Sequence, residues 1–429
     1  MKEKKITRRA VLKCGAALAA AALTGCAARE TDAQGDSSAQ FATSSAAESA
    51  AGPTAEPTHR RQYRAMWISY LDWALADFST ADTFRASVQQ MLGNCAALGL
   101  NTVIAQVRPF GDALYASRLY PWSHLCTGVQ GQAPGFDPLD ILIQEAHSRG
   151  LSLEAWINPY RLRLNGTMPA ELAPDNLANT HPEWCVTVNN GIYLNPAISQ
   201  TADYVVQGIT ELLDNYAVDG IHFDDYFYPT TEESIDAEQY AAGGGGASLG
   251  DWRRSNVTRL VRSARAAVKE TDPTLRFGIS PQGNPDNNYN VQYSDVAAWV
   301  APAEGEPLVD YICPQLYWGY HYTLQSGSDR FAYENISLEW LSLERAAGVG
   351  LYFGLGAFRI GAGDGGQNGD SVTQWQSGHA LADMIDDLTA LNADGYALFR
   401  YASLYASEYP ELAAAECAAI AQENTAQAI

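Results

Sequence analysis

The chain has 429 residues, 47% hydrophobic and 10% aromatic, enough to bury either one large barrel or two ordinary domains. Its 27 Lys+Arg against 49 Asp+Glu give a formal net charge of −22, which argues against nucleic acid as a partner and against binding along an anionic bilayer surface. Neutral or cationic ligands are favoured.

Residues 1–26, MKEKKITRRAVLKCGAALAAAALTGC, join a basic start to a short Ala-rich apolar run too brief and too weak to span a bilayer, the pattern of an export signal. Within it, Thr7 to Lys13 resembles a twin-arginine motif, with Val11 where Phe is commoner, and Leu23-Thr24-Gly25-Cys26 resembles a bacterial lipobox. The expectation is an extracytoplasmic protein anchored to the bacterial membrane by acyl chains on Cys26. The alternative is a soluble secreted protein. Cleavage before Cys26 removes six of the Lys+Arg and one of the Asp+Glu, leaving 21 against 48, so the mature chain is near −27.

Residues 27–58 are dominated by Ala, Ser, Thr, Gly and acids with no hydrophobic period, and are expected to be a disordered tether. The folded domain is placed at 59–429. Its cysteines, Cys95, Cys126, Cys185, Cys313 and Cys417, are odd in number and show neither a C-x-x-C nor a zinc spacing, so they read as mostly buried small apolar residues. No pattern in the chain requires a metal or another cofactor.

From residue 59 onward, short β-rich runs alternate with amphipathic stretches. Strands are predicted at 64–70, 102–107, 152–158, 219–225, 275–281, 309–317, 351–357 and 395–400. Helices are predicted at 82–98, 137–149, 200–216, 251–270, 291–302, 336–347, 374–391 and 408–424. Eight such units favour an α/β fold of the (β/α)8 TIM-barrel type over an open sheet. Helix-to-strand links are terse, whereas strand-to-helix links are long, and the latter build the functional face of such barrels. The run AAGGGGASLG at 241–250 lacks the basic residue of a phosphate loop and reads as a flexible connector.

The fourth predicted strand ends DGIHFDDY, on two adjacent carboxylates. Side chains alternate along a strand, so His222 and Asp224 share a face, and Asp225 must be rotated into the mouth by the turn that follows. Two neighbouring carboxylates cannot both ionise without cost, so one becomes a proton donor near neutral pH while the other stays an anion. Glycosidic cleavage needs that division of labour. The alternative is that one Asp caps a turn or pairs with an arginine. Other strand ends add Arg108, Asn158, Arg161, Gln282, Asn284, Gln315, Tyr317, Arg359 and Arg400. Trp67, Tyr70, Trp73, Trp156, Tyr160, Tyr226, Tyr228, Trp318 and Tyr320 add aromatic faces suited to sugar rings.

The segments RAMWISYLDW, QVRPFGDALYAS, FDPLDILIQEAHSRGLSLEAWINPYR, DGIHFDDYFYP, ISPQGNPDNNY and DYICPQLYWGY together resemble glycosyl-hydrolase-like family 10, over about 60–410. The resemblance implies a barrel similar to glycoside hydrolases that acts on bacterial envelope glycans, including peptidoglycan strands stripped of their peptides. Some relatives look as if they carry a further C-terminal β-rich module, which is not expected here after the eighth helix.

By analogy with glycosidases of N-acetylated amino sugars, Asp224 polarises a substrate 2-acetamido group that serves as the nucleophile, and Asp225 is the general acid. Arg108, Asn158, Arg161, His222, Gln315, Tyr317, Trp67 and Tyr226 are the expected substrate contacts. A second scheme makes Asp224 a covalent nucleophile and needs a separate acid from Asp72, Asp112 or Glu154. A barrel that binds glycan without cleaving it, or one that hydrolyses an α-glucan, is the competing reading. Repulsion between an acidic glycan and a domain near −27 would be relieved if Arg108, Arg161, Arg359 and Arg400 make the mouth locally positive.

Overall fold

A computed structural model describes residues 62–426. The export signal with Cys26, the tether, and residues 59–61 and 427–429 of the expected domain lie outside the described residues.

Eight parallel strands form the centre: β1 (Tyr63–Ile68), β2 (Thr102–Arg108), β3 (Ser152–Ile157), β4 (Gly220–Phe223), β5 (Arg276–Ile279), β6 (Tyr311–Ile312 with Gln315–Leu316), β7 (Gly350–Gly356) and β8 (Gly395–Phe399). Each pairs with the next in the chain, and β8 returns to β1 through Tyr63 opposite Gly395 to Met66 opposite Leu398, so the sheet closes as a TIM barrel. The helices that follow the strands in turn are α1 (Ala81–Ala97), α2 (Pro138–His147), α3 (Ser199–Asn215), α4 (Leu249–Thr271), α5 (Val296–Val300), α6 (Tyr333–Leu341), α7 (Ala380–Ala390) and α8 (Pro410–Ala426).

The predicted strands coincide with these within two residues at each end, for a physical reason: runs such as TVIAQVR are buried on both faces, as parallel barrel strands must be. β6 departs from the continuous strand expected, because Pro314 has no N–H to give its neighbours and splits it into two short pieces. Helices α5, α6 and α7 are shorter than predicted. Gly378, at φ 77°, breaks the chain just before α7. After α6, the Ala346 N–H donates to the Val300 carbonyl at 2.9 Å rather than continuing its own helix.

The β3-to-α3 connection holds a small antiparallel sheet that was not expected, Arg161–Arg163, Cys185–Val188 and Gly191–Leu194, with the Gly191–Leu194 strand in the middle. Its hairpin turns at Asn189 and Asn190, both left-handed (φ 48° and 65°), as a two-residue turn of this hand requires. Within the 241–250 run, Ala241 to Gly243 end a short helix (Ala237–Gly243), a turn follows with Gly245 and Gly246 at positive φ, and Ser248 caps α4.

Inside the barrel, large side chains interlock with absent ones. A Cβ on Gly278 would collide with the Tyr311 ring, and one on Gly354 would lie 2.9 Å from Trp67. Tyr63, Ala65, Trp67, Ile104, Trp156, Tyr311, Cys313, Tyr352 and Ala397 form this inner cluster, separate from the larger core between strands and helices. All five cysteines from Cys95 onward are free thiols, with Cys95, Cys126 and Cys313 buried and Cys185 and Cys417 half-buried.

Candidate active site

Alternation along β3 and β4 points Glu154, Trp156 and Asn158 inward from the first, and His222 and Asp224 from the second. Trp156 pairs with His222 in register. Ascending the axis, polarity passes from a buried charge at the bottom to the carboxylate pair at the top.

At the bottom, Glu154 accepts a hydrogen bond from the Tyr311 hydroxyl and lies 3.8 Å from Arg276, whose guanidinium rests on the rings of Tyr63, Tyr311 and Tyr352. Since the Tyr311 hydrogen goes to Glu154, the 2.7 Å contact between Tyr311 and His222 Nδ1 has the imidazole as donor. Nε2 is then the acceptor, receiving Trp67 Nε1 at 3.3 Å and the Ser280 hydroxyl at 3.1 Å. Burial and the charge of Arg276 push the His222 pKa down to about 3, so the ring is neutral and both its nitrogens are occupied.

Asp224, 2% exposed, sits in a nest of donors. Its carboxylate accepts Trp156 Nε1 at 3.1 Å, Asn158 Nδ2 at 2.9 and 3.2 Å, and the Tyr226 backbone N–H at 3.2 Å. Burial raises its pKa, while the nearby charge of Arg161 and these donors oppose the rise. Arg161 is itself fixed: Asn158 Oδ1 accepts its backbone N–H at 2.9 Å, its Nε donates to the Pro109 carbonyl at 3.2 Å, and the rings of Tyr70, Phe110 and Tyr226 surround its guanidinium.

Asp225, 3% exposed, turns toward the other side of the mouth. Oδ1 accepts Gln315 Nε2 at 3.0 Å, whereas Oδ2 is buried with no hydrogen-bond partner among the described residues. Burial first, and then the adjacent Asp224 charge, push its pKa from 3.8 to about 6, with the amides of Gln315 and Gln282 pulling the other way. Adjacent in sequence, the two acids are unequal in surroundings. Burial raises both, but at Asp224 a nearby cation and directed donors oppose the rise, whereas at Asp225 the neighbouring carboxylate adds to it and leaves that group the one poised to hold a proton. Among the described residues neither is ion-paired with an arginine.

Three of the expected substrate contacts are corrected by their surroundings. Trp67 and His222, 1% and 0% exposed, lie within the barrel and bond each other. Arg108, 1% exposed, is turned toward the helix layer, where it lies over the Tyr120 ring and donates to the Pro159 carbonyl at 3.3 Å. A register shift between Gln106 and Arg108 sends it there against the alternation.

Asn158, Arg161 and Tyr226 gather around Asp224, and Gln315 around Asp225. Tyr317 is half-buried, stacked on Phe399 and edge-on to Phe358. Of the remaining arginines, Arg400 is paired with Asp72 at 2.8 Å and Arg359 donates to the Tyr317 carbonyl at 2.9 Å, leaving Arg161 as the cation beside the pair.

The alternative acids Asp72 and Asp112 stand in the connections after β1 and β2, and Asp112 keeps one oxygen, Oδ1, unpartnered among the described residues. Asp72 is wholly buried and receives Ser69, Arg400 and the Ala402 N–H, while Asp112 is buried against Gln130 and His124. Residues not singled out for the site also belong to it. Ser280 links His222 to Gln315, and Phe358 and Phe399 wall the mouth. Trp156 was legible from the same alternation that placed Asp224.

The carboxylate pair thus stands at the C-terminal end of the fourth strand of a closed parallel barrel, the face on which barrels of this kind build their active sites. The chain belongs to the family described as Glycosyl hydrolase-like 10, whose model matches residues 62–370. It is 36% identical over 323 residues to the glycosyl hydrolase YngK of Bacillus subtilis (strain 168), covering 70% of this chain and 61% of that protein. Over 334 residues it is 33% identical to the glycosyl hydrolase DigH of Escherichia coli (strain K12), covering 70% of this chain and 74% of that one. The PgaB (BpsB) glycoside hydrolase domain from Bordetella bronchiseptica shares the fold at a TM-score of 0.50 and 13% identity, over 83% of this chain and 98% of that one.

Proposed function

We propose that the protein is a glycoside hydrolase of an N-acetylated envelope glycan, with peptide-free peptidoglycan strands as the leading candidate, and that Asp224 and Asp225 carry the chemistry. The observation that carries this reading is the inequality of the pair: Asp224 has directed donors and a neighbouring cation, while Asp225 has one bare oxygen and a pKa of about 6. A module that only binds glycan has no need of a carboxyl poised to give up a proton.

In this mechanism Asp224 accepts the N–H of the 2-acetamido group, and the acetamido oxygen attacks C1 as the C1–O bond breaks. Asp225 passes its proton to the departing oxygen. Water then adds at C1, giving one proton back to Asp225 and restoring the acetamide. The covalent-nucleophile scheme is less supported: Asp72 is paired with Arg400, and Glu154 lies at the bottom of the barrel against Tyr311 and Arg276. Asp112, though its Oδ1 is unpartnered among the described residues, is fully buried against Gln130 and His124.

Incubation with peptide-free strands should release new reducing ends from the native protein, and Asp224→Asn and Asp225→Asn should release almost none. Equal release by the variants would remove both residues from the mechanism. For location, the lipobox supports an extracytoplasmic protein anchored by lipid to the bacterial membrane. Cells fed labelled palmitate should label the native chain but not Cys26→Ser; label on both would refute the anchor.

A further inference from the structure

Gln315 stands at the end of the split sixth strand, half-buried, with its backbone N–H on the Pro281 carbonyl at 3.0 Å. Its side-chain nitrogen faces two acceptors, Asp225 Oδ1 and the Ser280 carbonyl, both at 3.0 Å. An amide meeting two acceptors must present its NH2, so its orientation is dictated. The anchor is itself held, because the Ser280 hydroxyl bonds His222, whose other nitrogen is tied through Tyr311 to Glu154. A rigid column therefore supports the amide from below.

We infer that Gln315 is a positioning residue for the acid: by donating to Oδ1 of Asp225 it reserves Oδ2 for the transferred proton. A proton on Oδ1 would confront the amide hydrogen, whereas Oδ2 has no partner among the described residues. In the reaction the Oδ2–H bond breaks as the leaving oxygen takes the proton. The anion left on Asp225 then keeps the Gln315 hydrogen bond. This assignment rests on the proposed role of Asp225, and it gives Gln315 a task other than touching sugar.

Gln315→Met, of equal length but without a donor, separates the two tasks. On peptide-free strands, whose leaving group is a poor alkoxide, kcat should fall about ten- to a hundredfold with KM unchanged. On an aryl glycoside of the same sugar with an acidic phenol, which needs little proton assistance, the rate should stay within about twofold. A 13C titration of the Asp225 carboxyl, identified by its loss in Asp225→Asn, should move to higher pH in Gln315→Met.

Gln315→Glu can donate only when protonated, so its strand activity should recover toward lower pH. Equal losses on both substrates, or a rise in KM alone, would make Gln315 a sugar ligand and overturn the inference. Asp225→Asn, run alongside, tells which idea has failed. If it loses even the first-turnover release of phenol from the aryl glycoside as completely as strand cleavage, Asp225 is not the acid and the proposed function fails with it. If Asp225→Asn spares the aryl glycoside and Gln315→Met does not, only the role of Gln315 is wrong.

Discussion

Asp225→Asn should lower turnover of peptide-free strands by about a hundred- to ten-thousandfold, the usual worth of a positioned general acid. In the native protein, activity should decline as pH rises through about 6, since the acid must be protonated to act. Asp224→Asn should be at least as damaging, because the replacement amide sets an N–H against the donors of Asn158 and Trp156. It should also shift any residual alkaline limb downward, since the Asp224 charge is one of the two forces holding the Asp225 pKa up.

Stability follows the same shift with its own sign. The folded pKa of Asp225 lies above its ordinary 3.8, so the native state holds a proton that the unfolded chain has released. That contribution is complete at low pH and is lost as pH rises through about 6. Asp225→Asn should therefore flatten the fall in urea midpoint across this window and gain stability at pH 8 relative to native. A native-like pH dependence of the variant's midpoint would place the titrating group elsewhere.

Arg253→Met should destabilise the protein by about 3–5 kcal/mol, or open the loop after β4 outright. Arg253 is fully buried and all five of its N–H groups are engaged. Nε and Nη2 grip Asp236 at 2.9 and 2.6 Å, and the others reach the carbonyls of Thr231 and Glu232 and the Tyr293 hydroxyl. The rings of Tyr228 and Tyr293 flank it. One side chain thus folds the segment that begins at Tyr226, next to both carboxylates.

Removing it leaves the Asp236 charge buried and unpaired, so Arg253→Met/Asp236→Leu should recover part of the loss. Arg253→Lys should not, having three donors where five are needed. Urea titration and protease sensitivity within 229–248 are the measurements. A midpoint unchanged in Arg253→Met would show that the loop is held by other contacts.

The barrel was legible because its strands are short apolar runs at regular spacing, and the Asp224 direction because a strand has a period of two. What was not legible depended on breaks in those periods. Arg108 follows the rule of β2 on paper and violates it in space, since a register shift precedes it. Trp67 and His222 are correctly inward-facing, but depth along the axis cannot be read from alternation. Their polar atoms satisfy one another well below the mouth. The small sheet after β3 is built from strands of three and four residues, too brief for a pattern to emerge. Gln315 was picked as a mouth residue, yet its relation to Asp225 comes from strands that meet only when the barrel closes.

The axial column from Arg276 to Ser280 also bears on how such a protein can change. Its members, in the strands or, for Ser280, just past the end of β5, hold one another by fixed donor and acceptor directions. Exchange of whole loops between relatives should therefore retune which polymer is gripped while the acid's platform stays put, whereas one swap along the axle would be felt in every version of the enzyme.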